Sequence, residues 1–290
     1  MRLERFGDAA AFLAAAEPSL LAREAENSLL LGVAGAVRDG RRYGDEPPYF
    51  ACVVDGGTVV AAAVRTPPYN LLLMSARRDG WRPIAEQLAA DGAPLPGVNA
   101  ERDVALEFAE WWSGARAVRH EITMKQRLYC LTAVRFPVGV PGQARWPGAA
   151  DAALLAGWVD AFSAEAIPDS PASDSAALVA RHLAARTLLV WDDAGVVSMA
   201  ASTRSSPHGG SVSLVYTPRE KRGRGYASAC VATLSQRILE SGKKFCTLFT
   251  NLDNPTSNRI YQEVGYRPLV DCLEVRFMGP AAGEEPAVRP

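Results

Sequence analysis

The chain lacks the cysteine patterns that build a disulfide-stapled or zinc-binding fold. Its five cysteines are an odd number, widely spaced and without a Cys-x-x-Cys pair, so neither a disulfide framework nor a zinc ribbon is predicted. Its three histidines stand far apart, without the spacing of metal ligands. We therefore predict buried thiols in a reducing cytoplasm and no metal site.

Long apolar runs and an excess of one charge are also missing. No stretch of about 18 consecutive apolar residues occurs, so no membrane-spanning helix is predicted. Lys+Arg total 31 against 32 Asp+Glu, a net charge of −1, so no global basic field favours nucleic acid as a partner. Only four of these cations are lysines. With the many alanines, this composition is typical of a GC-rich bacterial genome.

What the chain does contain is a repeated hairpin. Residues 50–66 and 188–203 each read as two β-rich runs around an Asp/Gly turn. A third short apolar run follows each hairpin, and similar flanking elements on both sides indicate two copies of one domain. The predicted boundary lies near residue 140, in a stretch rich in Pro and Gly. The predicted domains are 1–140 and 141–278, with a mobile tail at 279–290.

The second copy predicts the element order ααβββαβαβ, which is a mixed α/β layer. Its helices are predicted at residues 149–166, 176–185, 226–241 and 257–264, and its later strands at 212–216, 245–250 and 272–277. The first copy gives a similar order less cleanly. It has helices at about 8–16 and 19–38 before its hairpin, and a pair of strands between residues 117 and 134.

The most informative segment lies where the third strand of the second copy meets the next helix. Gly223 and Gly225 have no Cβ, so the backbone there can pass close to an anion. The start of the helix leaves several N–H groups without partners, and its dipole favours negative charge. The pattern Arg222-x-x-Gly225-x-Ala227 therefore predicts a diphosphate cradle. It is not a dinucleotide fingerprint, because Ser228 stands at the third glycine position.

Together with a downstream motif, this segment resembles the GNAT superfamily, the GCN5-related N-acetyltransferases. Residues 217–227 read TPREKRGRGYA and look like that family's pyrophosphate-binding motif. Residues 254–266 read NPTSNRIYQEVGY and look like its second motif, Asn-x-x-(small)-x-x-x-Tyr-x-x-x-Gly-(Phe/Tyr). The likeness covers roughly residues 145–278, and the first copy is similar in architecture alone.

The resemblance implies an α/β fold of two GNAT-like domains, each a mixed central sheet flanked by helices, and acetyl-CoA as the ligand. Strand residues would offer backbone groups to the pantetheine arm, and the glycine turn would hold the pyrophosphate. The residues concerned are Leu214, Val215 and Tyr216 on the strand, and Arg222, Gly223, Arg224, Gly225, Tyr226, Ala227 and Ser228 in the cradle. Asn254 would hydrogen-bond the pantetheine, and Tyr261 would protonate the departing thiolate.

The general base stays open at this point. Many members of the family carry a Glu on the strand before the second motif, but residues 245–250 read FCTLFT and include no carboxylate. Glu165, His208 and Glu274 are the candidates, and a water molecule that relays the proton is the alternative.

The first copy has no equivalent of the cradle. Residues 75–83 read SARRDGWRP, with one glycine and a proline, and the late helix offers Trp111 and Trp112 instead of a motif tyrosine. We therefore predict a degenerate copy that has lost cofactor binding.

The resemblance implies an acetyl-CoA-dependent N-acetyltransferase, for which we expect a small-molecule amine acceptor and direct attack in a ternary complex. One alternative is an enzyme for another acyl-CoA or a hydroxyl acceptor. A second alternative, from a different functional class, is a non-catalytic CoA-binding sensor or interaction module.

Overall fold

The chain forms two compact units. The computed structural model describes residues 1–168, 171 and 174–279. Unit 1 comprises Met1–Gln126 and the described residues from Val270 onward, and unit 2 comprises Arg127–Leu269. These limits differ from the predicted domains 1–140 and 141–278, because two long strands pass from one unit into the other. The predicted tail lies, apart from Gly279, outside the described residues.

One order of elements, βααβββαβαβ, occurs twice along the chain. The first copy consists of β1 (Arg2–Phe6), α1 (Ala9–Leu21), α2 (Ser28–Arg38), β2 (Tyr49–Asp55), β3 (Thr58–Arg65), β4 (Leu71–Ser75), α3 (Arg82–Ala90), β5 (Gly97–Glu101), α4 (Arg102–Arg116) and β6 (Arg119–Leu131). The second consists of β7 (Gln143–Arg145), α5 (Ala152–Ala166), α6 (Ser175–Ala185), β8 (Leu188–Asp192), β9 (Val196–Ser205), β10 (Gly209–Tyr216), α7 (Tyr226–Glu240), β11 (Phe245–Asn251), α8 (Pro255–Val264) and β12 (Arg267–Met278). The predicted α/β class and its two similar copies are confirmed. None of the described helices combines the length and apolar character needed to cross a membrane.

Each sheet is completed by a strand that the sequence repeat assigns to the other copy. The strand order in unit 1 is β1-β2-β3-β4-β5-β12, and in unit 2 it is β7-β8-β9-β10-β11-β6. β12 pairs antiparallel with β5, from Cys272 opposite Glu101 to Arg276 opposite Gly97. A boundary at one point of the sequence therefore cannot separate the two units.

Two expectations for the first copy are wrong. The pair of strands expected between residues 117 and 134 is the single strand β6, whose 13 residues include no Gly, Pro, Asn or Asp to form a turn. The helix expected over 19–38 is divided, since α1 extends to Leu21 and α2 begins at Ser28. Asn27 marks the break, because its side-chain amide donates to the carbonyl of Leu20 at 2.8 Å.

In unit 2 an apolar cluster covers each face of the sheet. Successive residues of β8 alternate between the clusters, as the pleat requires. One cluster holds Leu189 with the buried faces of α7 and α8. The other holds Leu188 and Val190 with the buried face of α5. These two layers fix α7 and α8 on one side of β10 and α5 on the other.

The strand β12 gives a test of the unit 1 core. Val275 is fully buried there, so Val275→Ala is expected to lower the free energy of unfolding by about 2 kcal/mol. Arg276, the next residue, has a side chain that is 38% exposed. Arg276→Ala is expected to change that free energy by less than about 1 kcal/mol. Equal effects of the two substitutions in urea unfolding would contradict the assignment of β12 to this core.

Candidate functional site

A bulge in β10 is the first special feature of unit 2. Ser213 pairs with Ala201 and Tyr216 with Met199, so Leu214 and its neighbour Val215 face one residue of β9. Leu214 has a φ of +52°, a left-handed conformation that is uncommon outside glycine. The bulge re-aims the side chains. Leu214 packs toward α5, although the strand's alternation would place it on the α7 side.

β11 pairs with only the first residues of β10. Their parallel register runs from Gly209 opposite Phe245 to Ser211 opposite Thr247. Beyond it, β10 continues for five residues to Tyr216, and these include the bulge. The backbone groups on this side of the strand end are therefore not taken up by the β11 ladder in the described chain, and an extended ligand can pair with them.

Two left-handed glycines shape the loop between β10 and α7. Gly223 and Gly225 each have a φ of +80°, which side chains with a Cβ adopt only at a cost. The first hydrogen bond of the helix runs from the Ala229 N–H to the Gly225 carbonyl. Among the described residues, the N–H groups of residues 223–228 have no acceptor. N–H groups arranged in this way at a helix start can donate to an anion such as phosphate.

The cations around this loop fall into two groups. Arg222 donates through Nε to the Thr217 carbonyl at 2.8 Å and through a terminal nitrogen to Glu165 at 2.7 Å. The hydrogen bond from Arg222 is the main cause that lowers the pKa of Glu165. Lys221 and Arg224 form no ion pair in the described part of the chain. The charges of Lys221 and Arg224 are therefore not neutralised by a carboxylate there and are available to an anion.

Tyr226 ties the start of α7 to the hairpin before it. Its side chain is buried, and its hydroxyl donates to Asp193 in the turn between β8 and β9. That hydrogen bond is the main cause that raises the pKa of Tyr226. The predicted cradle residue thus contributes its backbone N–H to the free row, while its side chain anchors the helix.

The second motif forms α8. The Asn254 side chain caps this helix, because its Oδ1 accepts from the Ser257 N–H at 3.0 Å. This leaves the Asn254 amide NH₂ for a ligand, so its predicted bond to pantetheine can use that group alone. The motif places Asn254 at the C-terminal end of β11, which is the end where β10 carries its bulge.

Tyr261 lies on the buried face of α8, with 8% of its surface exposed. Burial raises the pKa of its phenol to about 12. Its ring lies edge-on to Tyr266 at 6.1 Å, and the hydroxyl of Tyr266 is bonded to Ser235 at 2.8 Å. The Tyr261 hydroxyl, by contrast, has no partner among the described residues. It is therefore a protonated donor that is free to serve a ligand.

Two further residues of this region were not found from the sequence. Tyr129 on β6 donates its hydroxyl proton to Asn258 Oδ1 at 2.9 Å. The Asn258 NH₂ in turn donates to the carbonyls of Asn251 at 2.9 Å and Asn254 at 2.7 Å. Asn258 stands inside the motif, four residues after Asn254, so its position was a usable signal. Tyr129 carries no local signal, because its contact spans 129 residues.

The three candidate bases lie on separate elements, and each has partners of its own. Glu165 is held by Arg222. His208 precedes β10, and its carbonyl accepts from the Lys244 N–H at 2.7 Å; at about 3.3 Å per residue, it lies roughly 20 Å along the strand from the bulge. Glu274 belongs to unit 1, where it accepts from Asn99 at 3.1 Å. No group of three His, Cys, Asp or Glu residues suited to a metal ion occurs in the described residues.

The corresponding part of unit 1 is built differently. β4 and β3 pair in an unbroken register from Ser75 opposite Ala61 to Leu72 opposite Val64, and the stretch between β4 and α3 has no residue with positive φ. Phe108 stands seven residues after the helix N-cap, as Tyr261 does in α8.

Phe108 is also closed in by aromatic rings. It is fully buried, at 5.7 Å from Trp81 and 5.9 Å from Trp112. Unit 1 therefore has neither the bulge, nor the glycine turn, nor a phenol at this position.

Comparison with protein families identifies the segment that holds this site. Residues 192–275 match the family described as FR47-like protein. This match begins at Asp192, the last residue of β8, and includes the bulge, the glycine turn and the second motif. No curated protein matches the chain significantly.

Solved structures resemble nearly the whole chain. A GCN5-related N-acetyltransferase from Sphaerobacter thermophilus is 18% identical, with 96% of each chain covered and a TM-score of 0.59. A GNAT-family acetyltransferase from Colwellia psychrerythraea is 10% identical, with 96% of this chain and 99% of that chain covered and a TM-score of 0.57. A tandem GNAT protein from the clavulanic acid biosynthesis pathway is 13% identical, with 97% and 100% covered and a TM-score of 0.53. At these identities the likeness establishes the fold.

The glycine turn can be tested by a matched pair of substitutions. Gly223→Ala and Gly225→Ala both place a Cβ at a φ of +80°, which costs about 1–2 kcal/mol of stability. A Cβ at position 225 would also lie 2.8 Å from Cγ2 of Val140, whereas position 223 is open. Gly225→Ala is therefore expected to lower the free energy of unfolding more than Gly223→Ala does.

The extra cost at position 225 comes from Val140, so it should be relieved by Val140→Ala in the same chain. We expect the double variant Val140→Ala/Gly225→Ala to lose less stability than the sum of the two single variants. Additive losses in chemical unfolding would show that Val140 does not press on this turn.

Proposed function

We propose that this chain, a member of the GNAT superfamily, transfers the acetyl group of acetyl-CoA to an amine. The observation that carries the proposal is the row of six N–H groups at residues 223–228 that have no acceptor among the described residues, in a loop shaped by two left-handed glycines. A diphosphate has the charge and the oxygens that such a row binds. Unit 2 is the catalytic unit in this proposal.

The cradle residues fit the pyrophosphate of CoA. Arg222, Gly223, Arg224, Gly225, Tyr226, Ala227 and Ser228 supply the backbone of the turn. Lys221 and Arg224, which have no ion pair in the described chain, would add charge to this N–H row. Arg222 would shape the turn without a free donor, because its side chain is bonded to Thr217 and Glu165 and its N–H donates to the Arg219 carbonyl at 3.3 Å.

The pantetheine arm would follow the end of β10. Leu214, Val215 and Tyr216 extend beyond the β11 ladder, so their backbone groups can pair with the two amides of the arm as another strand would. The free NH₂ of Asn254 would donate to the same arm. This arrangement leads from the cradle toward α8, which carries Tyr261.

Tyr261 would act as the general acid. The amine nitrogen attacks the thioester carbonyl carbon, a C–N bond forms, the C–S bond breaks and the electron pair leaves on sulfur. The phenol of Tyr261 donates its proton to that thiolate. Its free hydroxyl and a pKa of about 12 keep it protonated at neutral pH, as this role requires. The proton of the attacking amine passes to water.

The first copy would not bind the cofactor. Its unbroken β3–β4 register and its buried Phe108 leave neither a bulged strand end nor a proton donor at the position of Tyr261. We propose that it is a degenerate copy with a structural role. The acceptor would be a small amine, and a reducing cytoplasm would suit the five free cysteines.

A second candidate is a non-catalytic CoA-binding sensor. It is favoured by one observation, namely that Glu165, His208 and Glu274 all have other placements and partners. Calorimetry with CoA, followed by free-thiol release from acetyl-CoA across a panel of small amines, separates the two functions. Turnover with any amine supports the enzyme, stoichiometric binding without turnover supports the sensor, and no binding of CoA contradicts both.

Tyr261→Phe tests the acid. We expect unchanged CoA affinity and a fall in kcat of about 10²-fold, because general acid catalysis contributes factors of this order. In the wild type, the high pKa means that the donor form persists as pH rises, so Tyr261 should cause no alkaline fall in kcat below about pH 10. The measurement is initial rate against pH at saturating acetyl-CoA.

Tyr266→Phe is the matched control. It removes a neighbouring buried phenol, which is bonded to Ser235, and is expected to cost about 1 kcal/mol of stability with kcat little changed. Equal rate losses in the two variants would mean that general repacking, and not proton donation, explains the Tyr261 effect.

A further inference from the structure

Glu165 occupies an unfavourable place on its own helix. It lies in the last turn of α5, where the negative end of the helix dipole disfavours a carboxylate. Two arginines compensate for this, Arg222 at 2.7 Å and Arg219 at 3.5 Å. Both arginines come from the loop that carries the cradle, so the cost at the end of α5 is offset by the cofactor loop and not by α5 itself.

Arg222 joins the start of that loop to α5 through two hydrogen bonds of its side chain. Its Nε donates to the Thr217 carbonyl at 2.8 Å, directly after the end of β10. Its terminal nitrogen reaches Glu165, and its guanidinium lies 5.8 Å from the ring centre of Tyr216. One side chain thus closes the loop on itself and joins it to α5. The next residue is Gly223, the first free N–H of the cradle.

The same helix supports the strand end. Trp158 of α5 lies 5.8 Å from Tyr216 between ring centres, and it packs with Leu214 of the bulge in one apolar cluster. The position of α5 is therefore linked to both proposed cofactor elements, to the strand end by packing and to the cradle by Glu165.

We propose that Glu165 is a positioning residue for cofactor binding, which holds the cradle loop in its binding conformation through Arg222. The inference rests on the proposed function, because it assigns a role within the same CoA site. Glu165 does not remove a proton from the acceptor. Its lone pairs are engaged by two guanidinium groups, and its effect is on affinity.

Two substitutions of Glu165 separate the effect of its negative charge from the effect of its hydrogen bond to Arg222. Glu165→Gln removes the negative charge but keeps an oxygen that accepts from Arg222. Glu165→Ala removes the contact with α5, so that Arg222 keeps only its hydrogen bond to the Thr217 carbonyl within the loop. We expect Glu165→Gln to change the Kd for CoA by less than about 3-fold and Glu165→Ala to raise it by about 10-fold.

Kinetics separate positioning from proton transfer. With Glu165→Ala, KM for acetyl-CoA should rise about 10-fold while kcat at saturation stays within about 3-fold and the pH profile of kcat is unchanged. A general base would behave differently, since even Glu165→Gln would then lower kcat by about 10²-fold and remove the acid limb of the profile. That result would overturn the proposal.

A double-variant cycle tests whether Glu165 acts through Arg222. On the Arg222→Ala background, Glu165→Ala should weaken CoA binding by less than about 2-fold, because the contact between Arg222 and Glu165 is already absent. Glu240→Ala is the control: this exposed acid of α7 is bonded to Gln236 at 2.9 Å, at the opposite end of the helix from the cradle, and should leave Kd unchanged.

Calorimetry with CoA alone distinguishes the failure of this inference from that of the proposed function. Equal or tighter binding by Glu165→Ala, with the wild type binding normally, overturns the positioning role and leaves the proposed function standing. A wild type that binds no CoA overturns both.

Discussion

The free N–H groups at the start of α7 are the constraint around which unit 2 is arranged. An unpaired backbone donor is costly when it is buried, and six in succession need a conformation that keeps them open. The two left-handed glycines supply that conformation, and Tyr226 fixes the helix start by bonding to Asp193. The loop is thus held from both sides while its donors stay available.

The bulge in β10 lies just before this loop in the chain and shapes the strand that leads into it. By placing Leu214 and Val215 opposite one residue of β9, it shifts the alternation of side chains at the end of the strand. In unit 1 the equivalent strand stays regular, and Phe108 and Trp81 pack where unit 2 has its phenol. At this place the two copies of one fold differ in a few backbone torsions and one hydroxyl.

Local patterns predicted the parts of the site that are close in sequence. Gly223 and Gly225 indicated a turn at a helix start, and α7 does begin at Tyr226. Asn254 was placed before α8, and it is the N-cap. The prediction of two strands between residues 117 and 134 was wrong. The segment has no residues that favour a turn, and it forms the single strand β6. The sequence pattern also assigned one boundary to two units that exchange strands.

Sequence by itself determined the repeated hairpins, the glycine turn and the order of elements from α5 to β12, because torsional preference and periodic burial act over a few neighbouring residues. Tertiary structure alone decided the partners of the charged groups. Glu165 and Arg222 are 57 residues apart, and Tyr129 and Asn258 are 129 apart. No local preference encodes such pairs, since they depend on how the sheet and its two helical layers pack.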